Sequence, residues 1–311
     1  MKIFLEIATV SVKLEIDDDL RLIIEILKNF KICRKHNKSL NIKIKKNIKN
    51  SITLSSDYND LLIGIDEKDS PYDYFNLMGV LQAIFRFIGL HSVKNDVFLI
   101  HGSASVYKGK GFCFSDDGSS VGKTLSAIEL SLVSNKIIGD EFCFLNVKTM
   151  EIFSYPFIPL HIRPEVEDHL DKIHKIHFKE NFIKTKAGIF LMPKALFDVE
   201  KRCKLDYFVF VHFNKEKNIC EKMNQVKSQI AIKNSLLSHL LKLINPSLDR
   251  MNFIDKKDSS RMVTYNYEEM ERLEKDIIPQ GIIDLIIQNI NCYKVNLKNP
   301  CNLIDVLQKI K

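Results

Sequence analysis

The triplet Gly122-Lys123-Thr124 closes the loop in "SDDGSSVGKTLSAIEL", residues 115–130. These residue types at this spacing suit the cradling of phosphates. A lysine here reaches the β- and γ-phosphates of a nucleotide, a threonine hydroxyl faces a magnesium ion, and a glycine lets the backbone approach closely. Gly118, Ser119 and Ser120 are small enough for a tight loop, and Val121 completes it. One position departs from the full pattern, which has glycine where this chain has Asp117. A carboxylate beside a triphosphate is repelled unless it points away, and a residue with a Cβ resists positive φ. Gly118 supplies that freedom one position later. The alternative reading is a turn that caps a helix.

A second set of acids follows. "NKIIGDEFCFLN" is a short apolar run with Asp140 and Glu141 in its middle, the first of them sixteen positions after Thr124. Carboxylates at the end of a strand next to a phosphate loop can hold magnesium through water or accept a proton from a hydroxyl nucleophile. The same pair also suits an exposed turn between strands.

Such residues need elements to position them. "VFLIHGSASVYKGKGFCFSDDGSSVGKT" predicts strand, turn at "KGKG", strand, loop and helix, with Leu125, Ile128 and Leu132 on one helical face. That order aims backbone N–H groups and a helix N-terminus at one anion. Upstream, "MKIFLEIATVSVKLEIDDD" alternates apolar and polar residues as two strands joined near Ala8 to Val10, and Glu6 within the apolar run argues against a signal peptide. A helical pattern runs from Asp18 to Phe30. A longer, largely buried helix opens at Ser70, with Pro71 at its first position and Asp73 at its positive end. The weakest joint is "HSVKND", 91–96. Later stretches predict a strand in "CKLDYFVFVHF", a helix in "QIAIKNSLLSHLLKL", and a closing strand and helix from "NCYKVNLKNPCNLIDVLQKIK".

Composition bounds the rest. The 311 residues are 45% hydrophobic, enough for one large α/β domain or two smaller ones. Seven cysteines with no close Cys-x-x-Cys pair argue against a disulfide framework and a zinc site, and fit a reducing cytoplasm. The formal charge of +7 concentrates in "KICRKHNK" and "KIKKNIKN". The second alternates lysine with isoleucine as a half-exposed strand does, so a solvated face is expected rather than a nucleic-acid contact. No run reaches the roughly 18 apolar residues that cross a bilayer.

The segment "LIHGSASVYKGKGFCFSDDGSSVGKTLSAIELSLVSNKIIGDEFCFLN" resembles the catalytic core of the HPr kinase family and its relatives, which share the phosphoenolpyruvate carboxykinase-like fold. Those proteins have His-Gly on a strand, a hairpin, a phosphate loop ending Gly-Lys-Ser/Thr, and a helix and strand ending in two acids. The resemblance implies an α/β mixed-sheet class: a P-loop core over 96–311, preceded by a small α+β domain over 1–95. It implies ATP and Mg2+ as cofactors, bound by 118–124. It makes Asp140 the general base and places His101 beside it. Thr124 and Glu141 become the metal ligands, Glu141 longer than the usual aspartate. The Glu-x-Arg-Gly-Leu-Gly signature of true HPr kinases is not visible; "YPFIPLHIRPEV" stands in its place, where Arg163 matches an arginine of the relatives that can clamp a phosphate.

The implied activity is a cytoplasmic kinase that transfers the γ-phosphoryl group of ATP to a serine-type hydroxyl of a peptide or small molecule. A nucleotide sensor without chemistry and a true HPr carrier-protein kinase are the alternatives. Self-association is left open.

Overall fold

The computed structural model describes residues 2–17, 31–32, 40–47, 50–66, 74–115, 122–155, 158–174, 182–185, 188–213, 216–244, 267–299 and 302–310. The chain gathers into two compact units: Met1–Leu99 with Leu237–Pro279, and Ile100–Leu236 with Gln280–Lys311. The class is mixed α/β, with parallel and antiparallel pairs in the two larger sheets.

In the first unit, β1 (Lys2–Ile7) and β2 (Val10–Ile16) form the expected hairpin, with Ile7 opposite Val10. Ala8 and Thr9 take φ of 48° and 67°, the pair of positive values that lets a two-residue turn match strand twist. β3 (Lys31–Ile32), β4 (Leu40–Asn47), β5 (Ser51–Leu54) and β6 (Asp60–Asp66) complete the sheet. Among the described residues it has six strands in the order β3-β1-β2-β4-β6-β5. In β4, Ile42 and Ile44 are buried while Lys43 and Lys45 are exposed, so the lysine-isoleucine alternation is the period of a strand with one wet face. Against this sheet packs α1 (Tyr74–Ser92), buried without a break from Val80 to Gly89. The helix expected over 18–30 and the proposed start of α1 at 70–73 lie outside the described residues. At the expected joint, α1 gives way to a single 3-10 turn, Val93–Asn95, and Asp96 reverses the chain at φ 59°. The Ser92 hydroxyl donates to the carbonyls of Gly89 and Val97, at 3.1 and 2.8 Å, so this bend is internally bonded.

β7 (Val97–His101) leads into the second unit, where the chain breaks at Gly102 and resumes as β8 (Ser103–Tyr107) and β9 (Lys110–Ser115). The reading of "VFLIHGSASVY" as one strand is corrected here. A Cβ at Gly102 would lie 2.7 Å from the carbonyl oxygen of Phe114, so the backbones approach closely at that bend. Then come α2 (Lys123–Ser134), β10 (Lys136–Gly139), β11 (Phe142–Asn146), β12 (Glu151–Phe153), β13 (Leu160–Ile162) and α3 (Pro164–His174). β14 (Phe182–Thr185), β15 (Gly188–Leu191), β16 (Asp198–Val199), β17 (Arg202–Phe213) and β18 (Ile219–Lys222) follow. The chain ends with α4 (Gln225–Ile244), α5 (Tyr267–Ile277), α6 (Ile282–Asn289), β19 (Asn291–Leu297) and α7 (Leu303–Leu307).

The main sheet of this unit runs β16-β10-β8-β9-β17-β12-β11, with β19 beside β17 and β18 beside β19. β13, β15 and β14 form a small antiparallel sheet. α2 is buried on two sides. Ala127 and Leu130 join Phe112, Phe114, Val209 and Val295 under α7, while Ile128 joins Ile137, Leu160, Ile162 and Leu170. A helix clamped this way has a fixed axial position, which sets where its first turn stands. Among the described residues no helix is long and apolar enough to cross a membrane.

Candidate functional site

α2 begins at a residue that must be glycine. Gly122 has φ 123°, and a Cβ there would lie 2.7 Å from the Phe213 ring at the end of β17. The Gly122 carbonyl accepts from the Ser126 N–H at 2.8 Å, closing the first helical turn. Lys123, the next residue, is only 7% exposed, although a lysine is seldom buried. It stands near the end of β9: burial pushes the Cys113 thiol well up, and the Lys123 charge pulls it the other way. Asp117, Gly118, Ser119, Ser120 and Val121 lie outside the described residues.

The second part of the site comes from the turn between β10 and β11. Asp140 is 1% exposed. The Thr124 hydroxyl lies 2.9 Å from its Oδ1 and 3.1 Å from its Oδ2. The Ser103 hydroxyl donates to Oδ1, and the backbone N–H of His161 in β13 donates to Oδ2 at 3.4 Å. Three elements thus converge on one buried carboxylate, which satisfies it without water. Gly139, just before it, admits no side chain, since a Cβ would lie 2.2 Å from Ser154 Oγ.

Glu141 lies in a different environment. It takes a left-handed φ of 63°, and its carbonyl accepts from the Gly102 N–H at 3.3 Å. Its carboxylate lies 3.7 Å from His101 Nε2, and the two side chains are 24% and 18% exposed. His101 is held through its carbonyl, which accepts from Ser115 Oγ at 3.0 Å; Ser115 in turn bonds Ser235 in α4 at 2.8 Å.

The two acids therefore have different surroundings. The Thr124 hydroxyl meets Asp140, the first acid, and His101 Nε2 lies near Glu141, the second. The physical reason is the reversal at Glu141. A left-handed residue between β10 and β11 turns adjacent carboxylates in different directions, one into the core toward α2 and one toward the end of β7. Arg163 stands immediately before α3, where its carbonyl accepts from the N–H groups of Val166 and Glu167 at 2.9 and 2.8 Å. It is two residues along the chain from His161, whose N–H reaches Asp140.

Ser103 and His161 belong to this site and were not singled out from the sequence. A signal for Ser103 existed: Ser103 and Ser105 recur at spacing two in an otherwise small and apolar strand, which puts two hydroxyls on one buried face. His161 contributes through its backbone, which no side-chain pattern reports.

Among the described residues no group of three or more His, Cys, Asp and Glu side chains could hold a metal ion. Magnesium needs less from a protein. It takes hard oxygen ligands and is usually held by one or two carboxylates together with substrate phosphates and water. The Thr124 hydroxyl and the Asp140 carboxylate fit that donor set.

No family model matches the chain. No curated protein matches it either. Among solved structures, the HPr(Ser) kinase/phosphatase from Coxiella burnetii is similar at 9% sequence identity and a TM-score of 0.30, over 68% of this chain and 93% of that one. A likeness that slight carries no weight for activity, which has to be argued from the residues.

Proposed function

We propose that the start of α2 binds the phosphates of a nucleoside triphosphate with magnesium, and that the site transfers the γ-phosphoryl group to a hydroxyl. The observation that carries this reading is the Thr124 hydroxyl set against both oxygens of the buried Asp140, directly after Lys123 at the first turn of a clamped helix.

Lys123 and the N–H groups of the first turn supply positive charge where phosphates sit. Thr124 and Asp140 would hold magnesium, which neutralises charge on the transferring group. Glu141 faces the acceptor: its carboxylate takes the acceptor proton, and His101 beside it orients that carboxylate. The acceptor oxygen bonds to the γ-phosphorus, the bond from that phosphorus to the bridging oxygen breaks, and its electron pair leaves with the nucleoside diphosphate. This exchanges the roles the resemblance gave the two acids. Arg163 is the candidate clamp on the transferred group. A serine-type hydroxyl on a peptide or small molecule is the proposed acceptor, with ATP as donor.

The test is calorimetric titration with magnesium-ATP, followed by product detection with HPr, free serine and a serine peptide offered in parallel. Lys123→Ala weakens binding by about 1.5–3 kcal/mol, the scale of a lost charged hydrogen bond. Glu141→Gln retains binding but slows transfer by about 10²–10⁴-fold. Equal affinity in Lys123→Ala overturns the nucleotide reading. Binding without transfer to any acceptor leaves a sensor module instead of a kinase.

A further inference from the structure

β8 carries two buried serines on one face; one bonds in the turn after β10 and the other bonds α2 and β10. At one end, Ser103 donates to Asp140, which also receives the Thr124 hydroxyl. At the other, the Ser105 hydroxyl lies 2.9 Å from the Ser131 hydroxyl and donates to the Lys136 carbonyl at 2.7 Å. Ser131 follows Thr124 by seven residues, two helical turns, so both lie on the same side of α2. Ser103 and Ser105 are two apart and share a side of the strand. Strand and helix are thus joined by matched hydroxyl contacts at two levels. Only the first includes an ionisable group.

Ser103 is fully buried, and its hydroxyl meets the same Asp140 oxygen that Thr124 approaches at 2.9 Å. A carboxylate with one donor in front can still rotate about χ2. A second donor from the strand side, with the His161 N–H on the other oxygen, removes that freedom. Rotation would turn an Asp140 oxygen away from Thr124.

We propose that Ser103 is the positioning residue that fixes the Asp140 carboxylate toward Thr124 and so sets the affinity of the site for a divalent cation. This rests on the nucleotide reading above. It adds to the site a residue from a strand that precedes the phosphate loop. Partners of metal-ligating carboxylates commonly tune affinity by 10–100-fold, although they never touch the metal.

The experiment compares ATP affinity in excess magnesium with ATP affinity in EDTA, by calorimetry, on the full chain. In the wild type magnesium strengthens binding. Ser103→Ala reduces that ratio by about tenfold, while affinity in EDTA stays near wild type. Ser103→Thr, which keeps the hydroxyl, restores the ratio. Ser105→Ala removes the equivalent hydroxyl at the other level and lowers thermal stability, but leaves the ratio unchanged. Should Ser103→Ala fail to fold, Ser103→Cys keeps the approximate size with a much weaker donor and carries the same expectation. A wild-type ratio in Ser103→Ala or Ser103→Cys, or an equal loss in Ser105→Ala, overturns the proposal and leaves Ser103 a packing contact. Absence of ATP binding by the wild type is a different outcome, which overturns the nucleotide reading itself.

Discussion

β4 of the first unit and β11 of the second are both short strands with regular sequences, yet they handle polar groups in opposite ways. In β4 Lys43 and Lys45 stand on one wet face while Ile42 and Ile44 are buried on the other. In β11 the run Phe142 to Leu145 is buried throughout, and the polar groups sit in the bend before it, where Asp140 is sealed among hydroxyl and amide donors. A sheet open on one side can place its charges in water at little cost. A strand covered on both sides cannot, so its polar residues collect at its ends and must be bonded there. Those ends are fixed in place by the covered strand, which is what a site needs.

The sharpest way to break this contrast is to remove a side chain from each strand. Phe144→Ala deletes a fully buried ring from β11 and is expected to cost about 3–5 kcal/mol in denaturant unfolding. Lys45→Ala on the wet face of β4 is expected to stay within about 0.5 kcal/mol. Similar costs for the two would mean that β11 is not covered on both sides.

A smaller effect comes from adding an atom. A Cβ at Gly111 in β9 would lie 2.3 Å from the Lys204 carbonyl oxygen in β17, a backbone atom that no rotamer change relieves. Gly111→Ala is expected to destabilise by about 1–3 kcal/mol in the same assay, through shifted strands rather than lost contacts. An alanine tolerated at no cost would show that the β9–β17 pair is looser than the distance implies.

The smallest effect belongs to the first unit and depends on pH. His91 Nε2 meets the Tyr58 carbonyl at 2.7 Å, and its ring packs edge-on against Phe87. Burial holds its pKa below the usual 6.5, a pull that the Tyr58 carbonyl only partly offsets. The folded state therefore resists a proton that the unfolded chain accepts. The stability this histidine contributes is present above pH 6.5 and is lost as pH falls through its lowered folded value. The melting temperature of wild type should exceed that of His91→Gln most at neutral pH, and the gap should narrow in acid. A gap that widens in acid would reverse the sign.

Much of the second unit was legible because its signals are local. The hairpin on the "KGKG" turn and the helix after Gly122 follow from apolar runs and a glycine before a helix, although the break at Gly102 does not. The final strand and helix followed in the same way. The different surroundings of Asp140 and Glu141 were not legible. Their order along the chain is local, but which acid faces α2 depends on a single left-handed residue between two strands. Ser103 escaped for a related reason, since its partner lies 37 residues away in sequence.

By itself the sequence determined many of the elements that bear Lys123, Thr124 and Asp140, because side-chain period and turn chemistry act over a few neighbouring residues. It determined the alternating β4, the buried α1 and the Gly-Lys-Thr opening of α2. Only the tertiary structure decided that a serine from β8, a threonine from α2 and a backbone amide from β13 meet on one carboxylate. Buried polar groups must be satisfied wherever packing brings donors within reach, and that depends on how helices and strands from distant parts of the chain come together.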